Sequence, residues 1–149
     1  MQITTFSDYS LRILIYLATH SNRVSTDKVA ETYGISFHHV AKAAQHLVHL
    51  GHVDSTRGRF GGIALAKSPQ QINIGDLVRQ TESGIGLVEC LREDGGSCRI
   101  TPACGLKHVL VEAKEAFFST LDKYTLADIV RSRSALAALL DDTPVREKL

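Results

Sequence analysis

A glycine between two short amphipathic segments is the strongest constraint on how this chain can fold. Ser25 is a natural N-cap for a helix running to Tyr33, with Asp27 in its first turn, and Gly34 stops that helix. Ser36 caps a further helix to about Leu50, with Val40, Ala43, Ala44, Leu47 and Leu50 inward and Gly51 at its end. Ala30 and Gly34 are four positions apart. The small side chain admits close packing of the following helix, and glycine can take the tight turn between the two. Val53 to Ser55 and Ile63 to Leu65 read as two short strands around Thr56-Arg57-Gly58-Arg59-Phe60-Gly61-Gly62. Helix, glycine, helix and ribbon in that order predict a mainly α fold, a winged helix-turn-helix with a small β-hairpin wing.

Further helices flank this unit. Asp8 to Ala18 places Leu11, Ile13, Leu14, Leu17 and Ala18 with helical periodicity, and Ile74 to Thr81 is another short helix. Gly105 to Leu121 reads as a long helix, followed by a short one from the Thr125 cap to Val130. Its stripe of Leu106, Leu110, Ala113, Phe117 and Leu121 can face a partner copy. Phe117 and Phe118 point to different sides, so one face can meet the body and the other a second subunit. The predicted organisation is residues 1–82 as the DNA-binding unit, 83–104 as a ligand-bearing loop, 105–130 as a dimerisation helix with its short successor, and 131–149 as a mobile tail.

The helix opening at Ser36 would enter the major groove of double-stranded DNA. Phe37, His38, His39, Lys42 and Gln45 lie outward on it, and backbone amides at Ser36 can meet a phosphate. Arg57 and Arg59 on a glycine-rich hairpin tip suit phosphates or a narrow minor groove. A solvated polar face and solubilising arginines would look the same one residue at a time; the combination favours DNA. Charge agrees: the net +1 conceals an excess in residues 1–67, which hold seven Lys/Arg against four Asp/Glu and six of the seven histidines. A single winged helix reading a palindromic operator requires two copies, so a homodimer is expected.

Cys90, Cys98 and Cys104 are the only cysteines, and they punctuate one polar loop. An odd number cannot all pair within a chain. Asp94-Gly95-Gly96-Ser97 would let the three thiols converge. Three convergent thiolates describe a metal or iron–sulfur centre whose fourth ligand lies elsewhere. The competing reading is three unrelated thiols. Cys104 and His108 share a helical face, so a Cys3His site for zinc or a 2Fe–2S cluster stays open, and Asp8 can simply complement the dipole of the first helix.

Other functions find little support. No Cys-x-x-Cys pair, phosphate loop after a strand or organised nucleophile is present, so an enzyme is not expected. Leu11 to Ala18 is short, carries Arg12 and follows no basic segment, so neither a signal peptide nor a membrane span is expected. Free cysteines then predict a cytoplasmic protein.

Several motifs together carry a resemblance. They are Asp8-Tyr9-x-Leu11-Arg12, Gly34-Ile35-Ser36 with His39-x-x-Lys42, Arg57-Gly58-x-x-Gly61-Gly62, and the three-cysteine loop with Ile100-Thr101-Pro102-Ala103-Cys104 and Tyr124 to Val130. Over residues 1 to about 130 the chain resembles the NsrR/IscR/RirA family of iron–sulfur winged-helix regulators, closest to its nitric-oxide-sensing branch. The resemblance implies a repressor whose 4Fe–4S cluster is held by Cys90, Cys98, Cys104 and Asp8 of the other subunit, with nitric oxide attacking the cluster to release the operator. Members with a 2Fe–2S cluster use a histidine three residues after the last cysteine; here that position is Lys107, which cannot serve. An iron-responsive repressor with the same cluster is the nearest alternative, and a zinc-stabilised (Cys3His) winged-helix interaction module is the alternative of another class. The gap between Cys90 and Cys98 is longer than in many relatives.

Overall fold

The computed structural model describes residues 2–82 and 86–141. Helix α1 (Thr5–Thr19) starts earlier than its apolar periodicity indicates, because Thr4 caps it by accepting the Ser7 N–H at 3.2 Å. Ile13, Leu14, Tyr16 and Leu17 are buried, so α1 forms the axis of the core. Helix α2 (Thr26–Tyr33) is capped by Ser25, whose Oγ accepts from the Lys28 N–H at 3.1 Å. Gly34 closes α2 in the left-handed conformation at φ 63°, where a Cβ would be strained, and the Ile35 N–H returns to Ala30 O at 2.9 Å. Helix α3 (Phe37–His49) follows and buries Val40, Ala43, Ala44 and Leu47 against α1 and α2.

Strands β1 (Val53–Thr56) and β2 (Gly62–Leu65) pair antiparallel from Val53↔Leu65 to Thr56↔Gly62. Val24 adds a bridge on the open edge of β2, exchanging hydrogen bonds with Ile63 at 3.1 and 2.8 Å. At Gly62, φ is 139° and an added Cβ would lie 2.6 Å from Val24 O. Glycine is therefore what lets the ribbon close on this edge. Arg23 pairs with Asp54 and donates to Gly62 O at 3.3 Å, riveting the base of the wing.

Helix α4 (Ile74–Thr81) begins at the Asn73 cap and α5 (Gly105–Leu121) is the longest helix; α6 (Leu126–Ile129) is a single turn. Residues around Ile72 and Leu126 join these pieces: Leu126 N–H donates to Ile72 O at 2.8 Å and Ile74 N–H to Tyr124 O at 3.0 Å. The Thr125 backbone, its hydroxyl and Arg131 together hold Asp128 at a pKa of about 2, which keeps the α6 capping box ionised. Arg79 on α4 grips Asp122 bidentately at 2.6 and 2.8 Å, with its guanidinium 4.4 Å from the Phe118 ring centre. Phe118 is thus the buried anchor of α5, while Phe117 and Leu121 are only partly covered. Leu106 and Val109 remain 62% and 59% exposed.

Residues 133–141 form a helix, α7 (Arg133–Asp141), where a mobile tail was expected. The apolar Leu136 and Leu140 dock on the core, Arg133 donates to Thr19 O at 3.1 Å and to Ser21 Oγ at 3.0 Å, and His20 meets Asp141 at 3.2 Å. Residues 142–149, the rest of that expected tail, lie outside the described residues, as do residues 83–85 at the start of the cysteine loop. No helix among the described residues is long and apolar enough to cross a membrane.

The α4–α5 junction makes a prediction. A Cβ at Gly75 would sit 1.9 Å from Asp122 Oδ1. Gly75→Ala should displace that carboxylate from Arg79, so that the usual helix benefit of alanine is cancelled and stability falls. Arg79 holds the Asp122 carboxyl below the usual carboxylate range. The pair is therefore intact at neutral pH and lost as pH falls through that depressed pKa. Chemical denaturation at pH 7 and at about pH 3 checks both points: the gap between wild type and Gly75→Ala should narrow in acid.

Candidate functional site

The exposed surface of α3 and the wing carries all eight residues read as DNA contacts: Ser36, Phe37, His38, His39, Lys42, Gln45, Arg57 and Arg59. Ser36 occupies the N-cap of α3 and is exposed, and it makes no side-chain capping bond to the amides of the first turn. The residues divide over two flanks of α3. His39 and Lys42 line a groove of about 320 Å³ with Thr5, Phe6 and Tyr9 at the start of α1, and the His39 and Tyr9 rings lie 6.0 Å apart. Gln45 and Arg57 share a groove of about 280 Å³ between α3 and β1, with Ala41, Val48 and Ser55. The rings of Phe37 and His38 meet edge to face at 5.8 Å at the exposed end of the helix. The surface thus offers cations on both sides of a projecting helix, which is the arrangement needed to straddle a groove between two phosphate rows.

The rear end of α3 is braced by histidines. His52 is buried and its Nε2 lies 2.9 Å from Gln80 Oε1, while His46 Nε2 approaches Gln80 O at 3.3 Å. Both contacts tie α3 and the first strand to α4.

Behind this unit runs the cysteine loop. Cys90 lies in a 3-10 turn (Glu89–Leu91) and is half-buried; Cys98 is exposed; Cys104 is half-buried at the N-cap of α5; all three are free thiols. Glu89 Oε1 accepts from the Ser97 N–H at 2.7 Å and from its hydroxyl at 2.8 Å. Cys90 and Cys98 each directly follow a member of that clamp, so it holds both cysteines at one end of the loop. Gly96 permits the clamp: at φ 58° its added Cβ would lie 2.8 Å from Glu89 O. The two Ser97 donors hold the Glu89 carboxyl below its ordinary range, the backbone N–H contributing most, so the clamp is ionised at neutral pH. Two further turns continue to Cys104: the Thr101 N–H donates to Cys98 O at 3.2 Å and the Cys104 N–H to Thr101 O at 3.4 Å.

The thiols nonetheless do not form a closed cage within one chain. Among the described residues, no group of three or more His, Cys, Asp or Glu side chains is close enough to hold a metal ion. The convergence expected from the glycine-rich loop is therefore a tether without closure: the turns shorten the loop but leave Cys98 at the surface. The donor chemistry still suits an iron–sulfur group. Three uncommitted sulfurs lie on one tethered segment, and the Thr101 hydroxyl beside them is buried without a hydrogen-bond partner. A sulfide or thiolate is an acceptor for such a donor.

Asp8 is engaged elsewhere. Arg12 binds its carboxylate at 3.1 and 2.9 Å, one turn along α1, with both side chains partly exposed. The Arg12 guanidinium lies 5.8 Å from the Tyr33 ring centre, and the Tyr33 hydroxyl donates to Arg12 O at 3.1 Å. Burial pushes Tyr33 up to about 12, so it remains a neutral donor. His108 is exposed on α5. The start of α1 is also tied to the segment leading into the cysteine loop: Glu82 Oε1 accepts from the Thr4 N–H at 2.7 Å and its hydroxyl at 2.9 Å. Where the loop meets α4 and α5, a groove of about 290 Å³ is lined by Glu82, Leu91, Glu93, Lys114 and Phe118.

The sequence reading did not single out Arg12 as a partner of Asp8, the Glu89–Ser97 clamp, the Thr4–Glu82 link or Phe60. Arg12 was detectable from its four-residue spacing. Phe60 was detectable as an aromatic between glycines and arginines. The other two join residues eight and 78 positions apart and leave no local pattern.

Comparison with known proteins agrees with this architecture. The regulator of Bacillus subtilis named NsrR is 46% identical over 142 residues, covering 94% of this chain and 97% of that protein. Its namesake in Bacillus licheniformis is 44% identical over 142 residues, covering 94% and 99%. Among solved structures, IscR from T. potens aligns with a TM-score of 0.68 at 28% identity, covering 89% of this chain and 88% of that one. CymR, the global cysteine regulator of B. subtilis, aligns with a TM-score of 0.68 at 27% identity, covering 89% and 98%. The chain is thus a winged-helix regulator of transcription and not an enzyme. Residues 3–132 match the family described as iron-dependent transcriptional regulators, and the chain belongs to that family, Rrf2.

Proposed function

We propose that this protein is a homodimeric repressor that binds palindromic double-stranded operator DNA and releases it when nitric oxide attacks a 4Fe–4S cluster. The carrying observation is the tethered loop of three free thiols behind the winged helix, in a chain that resembles regulators named NsrR over nearly its whole length. Cys90, Cys98 and Cys104 would supply the thiolates and Asp8 of a second copy the fourth ligand. When bound, the cluster would supply an iron open to a diatomic ligand, because a carboxylate oxygen is a weaker partner for it than a fourth thiolate. To serve, Asp8 must leave Arg12. The exposed Leu106 and Val109 on α5 support a helix face that meets a second copy.

The route from the loop to DNA runs through this chain's own contacts. Glu82 holds the Thr4 cap of α1, and the rings of Phe6 and Tyr9 on α1 lie 5.4 and 6.0 Å from those of His46 and His39 on α3. A change at the loop can therefore tilt α1 and, with it, the spacing of two recognition helices. The second reading is an iron-responsive repressor with the same ligands, favoured by the family's description as iron-dependent.

Anaerobic titration of the purified protein with nitric oxide, read by operator binding, separates the two: loss of binding at constant iron supports the nitric-oxide reading. Cys90→Ala, Cys98→Ala and Cys104→Ala should each abolish the brown chromophore and leave a helical protein; a variant that keeps full iron and sulfide removes that cysteine from the ligand set. Asp8→Ala should alter the cluster spectrum and weaken coupling between nitric oxide and DNA release, whereas His108→Ala should change neither. Chromophore loss only in His108→Ala would establish an intrachain Cys3His centre instead. For DNA, Lys42→Ala and Arg59→Ala should each weaken binding across sequences and lower the salt slope by about 1. Unchanged affinity and slope in Arg59→Ala would remove the wing from the interface.

A further inference from the structure

Phe60 is 89% exposed at the tip of the wing, directly after the exposed Arg59 and three residues after the exposed Arg57. A lone exposed apolar side chain is ordinary. This one is distinguished by its mounting. The Gly61 N–H closes the turn on Gly58 O at 2.9 Å, and an added Cβ at Gly61 would lie 2.4 Å from Thr56 O, so the tip is a tight turn. Its base is riveted by Arg23, Asp54 and the Val24–Ile63 bridge. The Arg59 guanidinium lies 5.9 Å from the Phe60 ring centre, within cation–π reach. A tightly turned hairpin therefore holds an uncovered aromatic ring beside the Arg59 guanidinium, with Arg57 exposed on the same turn.

We propose that Phe60 is a DNA-contacting residue that packs its ring against the sugars and base edges of the minor groove while Arg57 and Arg59 hold the flanking phosphates. The proposal rests on the reading of the wing as part of the DNA interface. Charge complementarity selects the occupant: a polyanion is drawn to the two guanidiniums, and the narrow groove between its phosphate rows presents apolar sugar walls at the depth of an aromatic ring. Phenylalanine is among the side chains suited to such contacts because it gives up little hydration on leaving water and has few rotamers to lose. Unlike the arginines, it releases no counterions on binding.

That difference is the test. The anaerobically purified, cluster-loaded protein would be titrated, over a range of salt, against a duplex of about 30 base pairs selected by it from a random pool, long enough for two half-sites. Phe60→Ala should weaken binding about tenfold with the salt slope unchanged, as expected for losing a buried aromatic contact. Phe60→Leu should retain most of the affinity. Arg59→Ala should lower the slope. Replacing adenine by diaminopurine in the A·T pairs facing the wing adds an amino group to the minor groove alone. That change should erase the difference between wild type and Phe60→Ala. If Arg59→Ala loses slope while Phe60→Ala binds as wild type, the Phe60 proposal fails and the wing reading stands. If both bind as wild type, the wing reading fails with it. A persistent difference on the diaminopurine duplex would overturn the minor-groove placement. A change in the sedimenting mass of free Phe60→Ala would instead assign the ring to a contact between copies.

Discussion

Helix α1 must be covered along most of its length, and the rest of the molecule is arranged to cover it. Leu14 on α1, Val40 and Leu47 on α3, and Leu77 on α4 are wholly buried in one cluster. Each such residue contributes roughly 1.5–3 kcal/mol through burial, so no single neighbour could replace that coverage. The recognition helix is thereby mounted on the first helix of the chain. The same helix meets the ribbon on one side and α7 on another, so any tilt of α1 is felt across the winged-helix unit.

Polar contacts decide where that axis begins. Thr4 caps α1 and, through Glu82, binds it to the end of α4. Arg79 on the same short helix holds Asp122 at the end of α5. Helix α4 therefore connects the two halves of the fold through side chains at its exposed edge, while its buried edge packs in the core. The cysteine loop leaves from the C-terminal end of this connector and returns at the N-terminus of α5. Its clamps are small and local, among them Glu89 to Ser97 and the turns about Thr101.

Much of this was legible in the sequence because the signals were local. Gly34, Asn73 and Thr125 mark helix boundaries through capping chemistry, and the bounds of α4 and α5 follow from their own residues. The outward placement of Ser36, Phe37, His38, His39, Lys42 and Gln45 was legible for a related reason: the apolar positions of α3 recur with helical periodicity and leave these residues on the opposite face. What escaped depends on distant partners. Helix α7 looked like a fraying tail because its short apolar face, Leu136 and Leu140, acquires meaning only against α1. Asp8 carried no local sign of being occupied by Arg12 beyond their spacing, and the resemblance drew attention to another role for it. In the thiol loop, glycine permits convergence of the cysteines without driving it, so the path of the loop could not be read from its composition.

The docking of α7 on α1 also has a temporal side. Helix α1 owes part of its cover to Leu140, near the far end of the described residues, and to Arg133 at Thr19. Contacts between residues more than a hundred positions apart form late, because so long a loop must be closed before they repay its entropy. During translation α1 must therefore wait with its flank open, in the company of α2 and α3, and final consolidation of the DNA-reading unit is a late event. A regulator built this way completes its winged-helix unit only when a helix far along the chain has docked on it.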